Sequence, residues 1–125
     1  MTIDRAISEA REQKPNPFSD GQLKLWLSDA DGELFIYRKG FEEFKDEVFE
    51  GYGADTPGET VLLADPPHDA LYIDWLKAKI DMGMEEYELF NISAELFNEG
   101  LASYTRHIVR SMTPLQNVTI RWPRL

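Results

Sequence analysis

The dipeptide His68-Asp69 places two potential metal ligands side by side in the chain. A catalytic metal centre needs about three protein ligands, so further histidines or acids would have to join this pair. The chain's other histidine is His107, which lies far along the sequence. A histidine and an acid at the start of a predicted helix more often take part in capping. We therefore expect no metal site at His68.

The segment Asp29-Ala30-Asp31-Gly32 is similar to part of a calcium-binding loop. In such a loop a glycine occupies the sharp turn, and oxygen ligands occupy the first and last positions. Placing Gly32 at the turn puts Leu27 at the first ligand position and Arg38 at the last. Neither side chain can ligate calcium, so the sequence argues against a calcium site here.

Two pairs of acids, Glu43-x-x-Asp46 and Glu85-x-x-Glu88, have the spacing with which helical nucleotide pyrophosphohydrolases hold Mg²⁺. The order of the pairs is reversed relative to those enzymes, and acids at a helix start are also explained by the helix dipole. The sequence contains no serine in a nucleophile elbow and no glycine-rich phosphate loop. We therefore expect a protein that is not an enzyme, with no catalytic residue, no cofactor and no metal.

Four segments have the apolar spacing of amphipathic helices. Thr2 and Ser19 are suitable N-caps for the first two, and Asp65 followed by Pro66 is typical of the start of the third. The helices are predicted over residues 2–13, 19–39, 66–81 and 84–111. A seam on the fourth helix should pack nearly antiparallel on the third helix, and it comprises Tyr87, Phe90, Ala94, Phe97, Leu101, Tyr104 and Ile108. The fold class predicted is all-α, a four-helix bundle-like single domain over residues 1–125.

Two segments outside these helices have a different character. Residues 40–64 hold seven acids against one lysine, together with several glycines, and predict a long acidic loop between helices 2 and 3. Within it, residues 41–49 could form a short helical turn and residues 60–63 a short strand. In the C-terminal tail, residues 114–125, the alternation of Val118, Ile120 and Trp122 predicts a β-like segment. Its partner would be residues 60–63 or another subunit.

Charge is distributed unevenly along the chain. Residues 1–99 hold all 23 acids and nine basic residues, for a net charge of −14, whereas residues 100–125 carry +4. An acidic protein is a poor nucleic-acid binder, but a molecule with opposite charge at its two ends suits head-to-tail association. The absence of cysteine removes disulfide and thiolate sites. No apolar run approaches the length of a membrane span, so no membrane partner is expected.

Three blocks of the sequence together resemble a known family. They are residues 14–32 (KPNPFSDGQLKLWLSDADG), residues 71–81 (LYIDWLKAKID), and the positions Glu86, Tyr87, Asn91, Phe97, Asn98 and Glu99. In these blocks the chain is similar to head–tail connector proteins, also called head-completion adaptors, of siphophages and prophages of Gram-positive bacteria. The resemblance is a pattern of apolar, turn and acidic positions over most of residues 1–110.

This resemblance implies a structural phage protein that assembles as a ring between portal and tail and forms part of the DNA conduit. The partners implied are further copies of itself, the portal protein and a neighbouring head-completion or tail protein; DNA passes through without specific binding. The isolated chain can be a monomer, because such rings often close only on the portal. The location implied is the head–tail interface of the virion, and the host cytoplasm during assembly.

Residues for these contacts follow from the charge distribution. The subunit interface is predicted at Arg106, Arg110, Arg121, Trp122 and Arg124, and the acids of the loop predicted to face the lumen are Glu42, Glu43, Asp46, Glu47 and Glu50. An acidic lining would keep DNA from adhering to the ring. The alternative function is an acidic interaction protein, such as an inhibitor that mimics DNA and binds a nucleic-acid-binding enzyme.

Overall fold

A computed structural model describes residues 1–115. Within this range the chain forms four α-helices and two short 3-10 helices, and pairs elsewhere only through isolated β-bridges. The helices are α1 (Ile3–Gln13), α2 (Asp20–Arg38), α3 (Leu71–Gly83) and α4 (Tyr87–Ser111), and the 3-10 helices are Glu42–Phe44 and His68–Ala70. The prediction of an all-α fold with four helices is confirmed for the described residues.

The first two helices begin where their caps predict. The Thr2 hydroxyl accepts a hydrogen bond from the Arg5 amide at 3.2 Å, and the Ser19 hydroxyl accepts one from the Gln22 amide at 3.1 Å. Each cap satisfies one of the amides that a helix start leaves without a partner. Helix α2 ends at Arg38 with Lys39 as its C-cap, one residue before its predicted end.

The third helix begins later than the predicted Pro66. A turn closed by a hydrogen bond from the His68 amide to the Asp65 carbonyl (2.9 Å) comes first, followed by a 3-10 turn, and α3 starts only at Leu71. The prediction was wrong because a residue that precedes a proline is driven out of the helical region, and Pro66 precedes Pro67.

The fourth helix also begins later than predicted, at Tyr87 instead of Met84. Glu85 has a positive φ of 59°, which a continuous right-handed helix does not allow. The preceding helix ends at Gly83, where a Cβ would lie 2.6 Å from Cζ of Phe18. The junction between α3 and α4 is a tight turn, and a side chain at position 83 would force the Phe18 ring to move.

Helices α3 and α4 pack antiparallel, as the sequence predicts. Ser93 near the start of α4 donates to Asp81 near the end of α3 (3.0 Å), whereas Gly100 further along α4 packs against Leu71 at the start of α3. Between them the rings of Trp75 and Phe97 lie 4.9 Å apart. Helix α3 contacts every other helix, and eight of its 13 residues are buried, which makes it the most buried of the four helices.

The apolar seam of α4 is buried over only part of its predicted length. Tyr87 is 57% exposed and Phe90 is half-buried, because the first turn of α4 extends past the end of α3 at Gly83. Ser93, not the predicted Ala94, is the buried residue in the second turn. The seam residues that are fully buried are Phe97, Leu101, Tyr104 and Ile108.

The predicted strand over residues 60–63 is wrong. This segment makes one isolated bridge, between Val61 and Thr2, flanked by hydrogen bonds from Ile3 to Thr60 (3.0 Å) and from Leu62 to Met1 (2.9 Å). The pairing cannot extend because the N-terminal chain turns into α1 at Ile3. The edge that was a candidate partner for the C-terminal tail is thus occupied by residues 1–3.

The first residues of the tail pair elsewhere. The Glu42 amide donates to the Thr113 carbonyl at 2.7 Å, the Leu115 amide donates to the Gly40 carbonyl at 2.9 Å, and Phe41 forms an antiparallel bridge with Pro114. The chain after α4 therefore continues along residues 40–42. The predicted β-like alternation at Val118, Ile120 and Trp122 lies outside the described residues.

Candidate functional site

Two of the predicted interface residues lie on the exposed side of α4. Arg106 and Arg110 are one helical turn apart and both are exposed. Within residues 1–115 neither of them takes part in an ion pair. Their guanidinium groups are therefore available to carboxylates of another molecule. The other predicted interface residues, Arg121, Trp122 and Arg124, lie outside the described part of the chain.

The acids predicted to face a lumen do not form one uniform surface. Glu42 pairs with Lys45 at 2.7 Å, and Glu43 accepts hydrogen bonds from the amide and the hydroxyl of Thr113, both at 2.9 Å. These hydrogen bonds, above all the one from the amide, hold the pKa of Glu43 below its usual value. Asp46 and Glu50 are exposed.

Glu47 differs from the other four acids because it turns inward. Its carboxylate pairs at 2.5 Å with Arg38, whose side chain is buried beneath the loop. A buried guanidinium requires a counter-ion, and Glu47 supplies it. Arg38 also donates to the Leu63 carbonyl at 2.7 Å and lies over the ring of Phe44, so it fastens the segment between α2 and α3 to the helices.

A second buried group in α2 fastens the same segment. The Asp31 carboxylate is fully buried and accepts hydrogen bonds from the Tyr52 hydroxyl (2.5 Å), the Tyr72 hydroxyl and the Leu63 amide (3.1 Å). Burial raises the pKa of Asp31, while the hydrogen bonds from the two tyrosines act in the opposite direction. The network joins α2, the segment before α3, and α3 itself.

A third buried carboxylate lies where the end of α3 meets the start of α4. Asp81 is fully buried, accepts a hydrogen bond from Ser93 and pairs with the ammonium group of Lys14. Sequence reasoning missed Asp31, Arg38 and Asp81 as buried charges. A signal was present for the first two: Asp31 lies four residues after Leu27, and Arg38 lies four residues after Leu34, so both continue the apolar stripe of α2.

A cavity with a volume of about 310 Å³ lies between α4 and the turn before α3. The rings of His68 and His107 meet at its wall with their centroids 4.9 Å apart, although the two residues are distant in sequence. Burial, and then the neighbouring His107, lowers the pKa of His68. The remaining wall is formed by Arg38, Phe44, Asp65, Pro66, Pro67, Tyr104, Ile108 and Met112.

The charge balance of this cavity does not favour an anion. The positive charge of Arg38 is already matched by Glu47, and Asp65 adds a negative charge to the wall. Within residues 1–115 no group of three or more histidines and acids is arranged to hold a metal ion. Among the same residues no helix is long and apolar enough to cross a membrane.

Within residues 1–115 the chain is a small all-α protein whose exposed arginines on α4, Arg106 and Arg110, form no ion pair with its acids. Comparisons of the chain with protein-family models, with curated proteins and with solved structures found no match. A function for this chain must therefore be inferred from its own geometry and charge.

Proposed function

We propose that this protein is a phage structural protein, a head–tail connector that assembles as a ring between the portal and the tail and forms part of the DNA conduit. The observation that carries the proposal is the separation of charge. Exposed Arg106 and Arg110 lack an ionic partner within residues 1–115, while residues 1–99 carry a net charge of −14. A closed ring needs two different complementary surfaces on each protomer, and this separation supplies a candidate pair.

In the proposed ring the arginine-bearing surface of one protomer meets an acidic surface of the next. The interface consists of Arg106, Arg110, Arg121, Trp122 and Arg124, with the C-terminal tail as a β-like assembly arm. The acidic loop between α2 and α3 faces the lumen through Glu42, Glu43, Asp46 and Glu50, where carboxylates repel the DNA backbone. Glu47 is left out of this lining because it neutralises Arg38.

The proposal implies partners and a location. The ring binds the portal protein on one side and a further head-completion or tail protein on the other, and it lies at the head–tail interface of the virion after assembly in the host cytoplasm. No enzymatic activity and no cofactor are part of the proposal.

Reconstitution with the portal protein encoded in the same genome tests this function. We expect the chain to co-sediment with portal rings and to appear as an added ring in electron micrographs. Arg106→Glu with Arg110→Glu should abolish the added ring. Arg5→Glu with Lys45→Glu makes the same change in net charge and should leave it intact, because those side chains pair within their own segments.

Two results would count against the connector function. Failure of the wild-type chain to bind portal under any tested condition contradicts it. Stable association with a nucleic-acid-binding enzyme, competed by DNA, would instead support the acidic inhibitor as the function, because carboxylates would then occupy the sites of phosphates.

A further inference from the structure

Helix α4 carries a continuous stripe of exposed residues that makes no contact with the core of the described chain. The stripe, here called the α4 outer face, consists of Glu95, Glu99, Ala102, Arg106 and Arg110, and all five residues are exposed. At about 100° per residue these positions fall within an arc of roughly 80° on the side of the helix opposite the buried seam. They therefore present one surface to a partner.

Charge on the α4 outer face is segregated along the helix axis. The acids Glu95 and Glu99 precede Ala102, and the bases Arg106 and Arg110 follow it. A parallel copy would place like charges against each other. An antiparallel copy places the acids of each helix against the arginines of the other, so the face is complementary to itself under a twofold rotation.

The spacing of the charges fixes a single register for such a pair. Glu99 lies three residues before Ala102, and Arg106 lies three residues after Ser103; Glu95 and Arg110 lie seven residues before and after the same two positions. If two helices cross between residues 102 and 103, Glu99 stands opposite the partner's Arg106. One turn further out, Glu95 comes within reach of the partner's Arg110.

The residues at the crossing point allow close approach. Ala102 and Ser103 have small side chains, so the two helix axes can come near the lower end of the usual interaxial range of about 8–10 Å. Leu96 and Val109, each 43% exposed, lie on either side of the charged stripe and would lose contact with water in the pair. The register thus combines ion pairs with some apolar burial.

We propose that the free protein associates with a second copy of itself through the α4 outer faces, packed antiparallel with the crossing at Ala102 and Ser103. Twofold symmetry repeats each ion pair, so the contact contains four. Exposed ion pairs are individually weak, and each chain carries a net charge of −10, so the association is weak and reversible. In moderate salt the Debye length is near 10 Å. The repulsion between distant acids of the two copies is therefore screened more than the attraction within the contacting ion pairs.

This inference goes beyond the proposed ring. The antiparallel pair is isologous and closes on two copies, whereas a ring requires a heterologous contact. The pair would be the state of the free protein, and it covers Arg106 and Arg110 until the protein meets its assembly partner. It is measured without portal protein, so its failure and the failure of the connector function are separate results.

Sedimentation of the full chain in about 0.1 M salt, at concentrations from about 10 µM to about 1 mM, tests the proposal. We expect a monomer–dimer equilibrium for the wild type. The acid variant (Arg106→Glu with Arg110→Glu) and the base variant (Glu95→Arg with Glu99→Arg) should each weaken self-association at least about tenfold. An equimolar mixture of the two should restore a dimer, because their outer faces are again complementary.

A matched control makes the same change in net charge as the base variant, but on other helices. Glu12 and Asp29 are exposed on α1 and α2, and Glu12→Arg with Asp29→Arg should not weaken the dimer. Circular dichroism checks that every variant stays helical. A wild type that is monomeric over the whole range overturns the proposal, and so does a dimer that neither charge variant weakens or a variant mixture that stays monomeric. A closed oligomer larger than two would also overturn it, since that requires a heterologous contact.

Discussion

The buried carboxylate of Asp31 holds the segment between α2 and α3 against the helices. It accepts hydrogen bonds from two tyrosine hydroxyls and one amide, and it lies on the buried face of α2 together with Leu27 and Leu34. Hydrogen bonds to a charged group contribute more than neutral ones, about 1.5–3 kcal/mol each. A buried charge without them would be strongly destabilising.

Removing one of these donors should therefore lower stability measurably. Tyr72 is fully buried, donates to Asp31 and accepts a hydrogen bond from the Ala64 amide at 2.8 Å. We expect Tyr72→Phe to lower the free energy of unfolding by about 2–4 kcal/mol, because it leaves the amide without a partner and the carboxylate with one donor fewer. Urea denaturation measures the change.

Tyr52→Phe is the matched control for this variant. Tyr52 donates to the same carboxylate, but its side chain is only partly buried, so water can replace the hydroxyl. Loss of the Tyr52 hydroxyl should lower the free energy of unfolding less than loss of the Tyr72 hydroxyl. Equal and negligible effects of the two substitutions would show that the Asp31 network does not hold this segment in place.

His68 provides a pH dependence whose sign is fixed by its surroundings. Burial and the nearby His107 lower the pKa of His68 from its usual value of 6.5. The unfolded chain therefore takes up the proton first, and the stability that the neutral ring provides above pH 6.5 is lost as pH falls through the lowered pKa. We expect the melting temperature to fall on acidification below that point, and to fall less in His68→Gln.

A second variant identifies the cause of this dependence. His107→Gln removes one of the two influences that lower the pKa of His68, so its pH dependence should lie between those of the wild type and His68→Gln. An acid sensitivity that survives unchanged in His68→Gln would assign it to other groups.

Sequence reasoning was least successful for charged residues inside the core. Asp31 and Arg38 occupy positions on the apolar stripe of α2, yet charged side chains are treated as surface residues unless a partner is known. Their partners, Glu47, Tyr52 and Tyr72, lie 9 to 41 residues away in the sequence. Local periodicity carries no information about such distant pairs.

At the scale of the elements, residues along the seam of α4 should contribute unequally to stability. Phe97 is 4% exposed and packs against Trp75, whereas Phe90 is only half-buried beyond the end of α3. Phe97→Ala should cost about 3–5 kcal/mol, because it opens a cavity between the two helices, and Phe90→Ala should cost clearly less. Thermal denaturation of the two variants measures both. If Phe90→Ala lowers stability as much as Phe97→Ala, the buried part of the α4 seam extends further toward Tyr87 than the packing of α4 on α3 indicates.

The elements that sequence predicted well have their determinants close by in the chain. Thr2 and Ser19 accept hydrogen bonds from amides three residues later, so the starts of α1 and α2 are encoded locally. Residues 60–63 are different, because their β-branched and aliphatic composition suggests a strand, but within residues 1–115 they form their isolated bridge with the N-terminal residues 1–3 alone. How far that pairing extends depends on where α1 begins, and no local pattern records this.

On the scale of the whole molecule, the two ends of the described chain are both fixed to the segment between α2 and α3. Residues 1–3 pair with residues 60–62, and residues 113–115 pair with residues 40–42. Arg38 and Asp31 hold the same segment from beneath. This segment is therefore the point at which the N-terminal chain, the helices and the start of the C-terminal tail meet, and changes to it should be felt throughout the fold.

The role of the C-terminal tail is the last prediction, and it belongs to this scale. Residues 1–115 already contain the four helices, their core and the pairing of Leu115 with Gly40. We expect a chain that ends after Leu115 to keep its helical circular dichroism and its melting temperature, but to lose assembly on portal rings, because Arg121, Trp122 and Arg124 are then absent. Trp and Arg are the residues most often found as interface anchors.

A full-length variant with Trp122→Ala, Arg121→Ala and Arg124→Ala separates the side chains from the length of the tail. If those three residues act at the interface, this variant should match the truncated chain in both stability and assembly. A truncated chain that unfolds, or whose free energy of unfolding falls by several kcal/mol, would instead assign the tail to the protomer's own core, because residues that serve only assembly add little to the folding of a single copy.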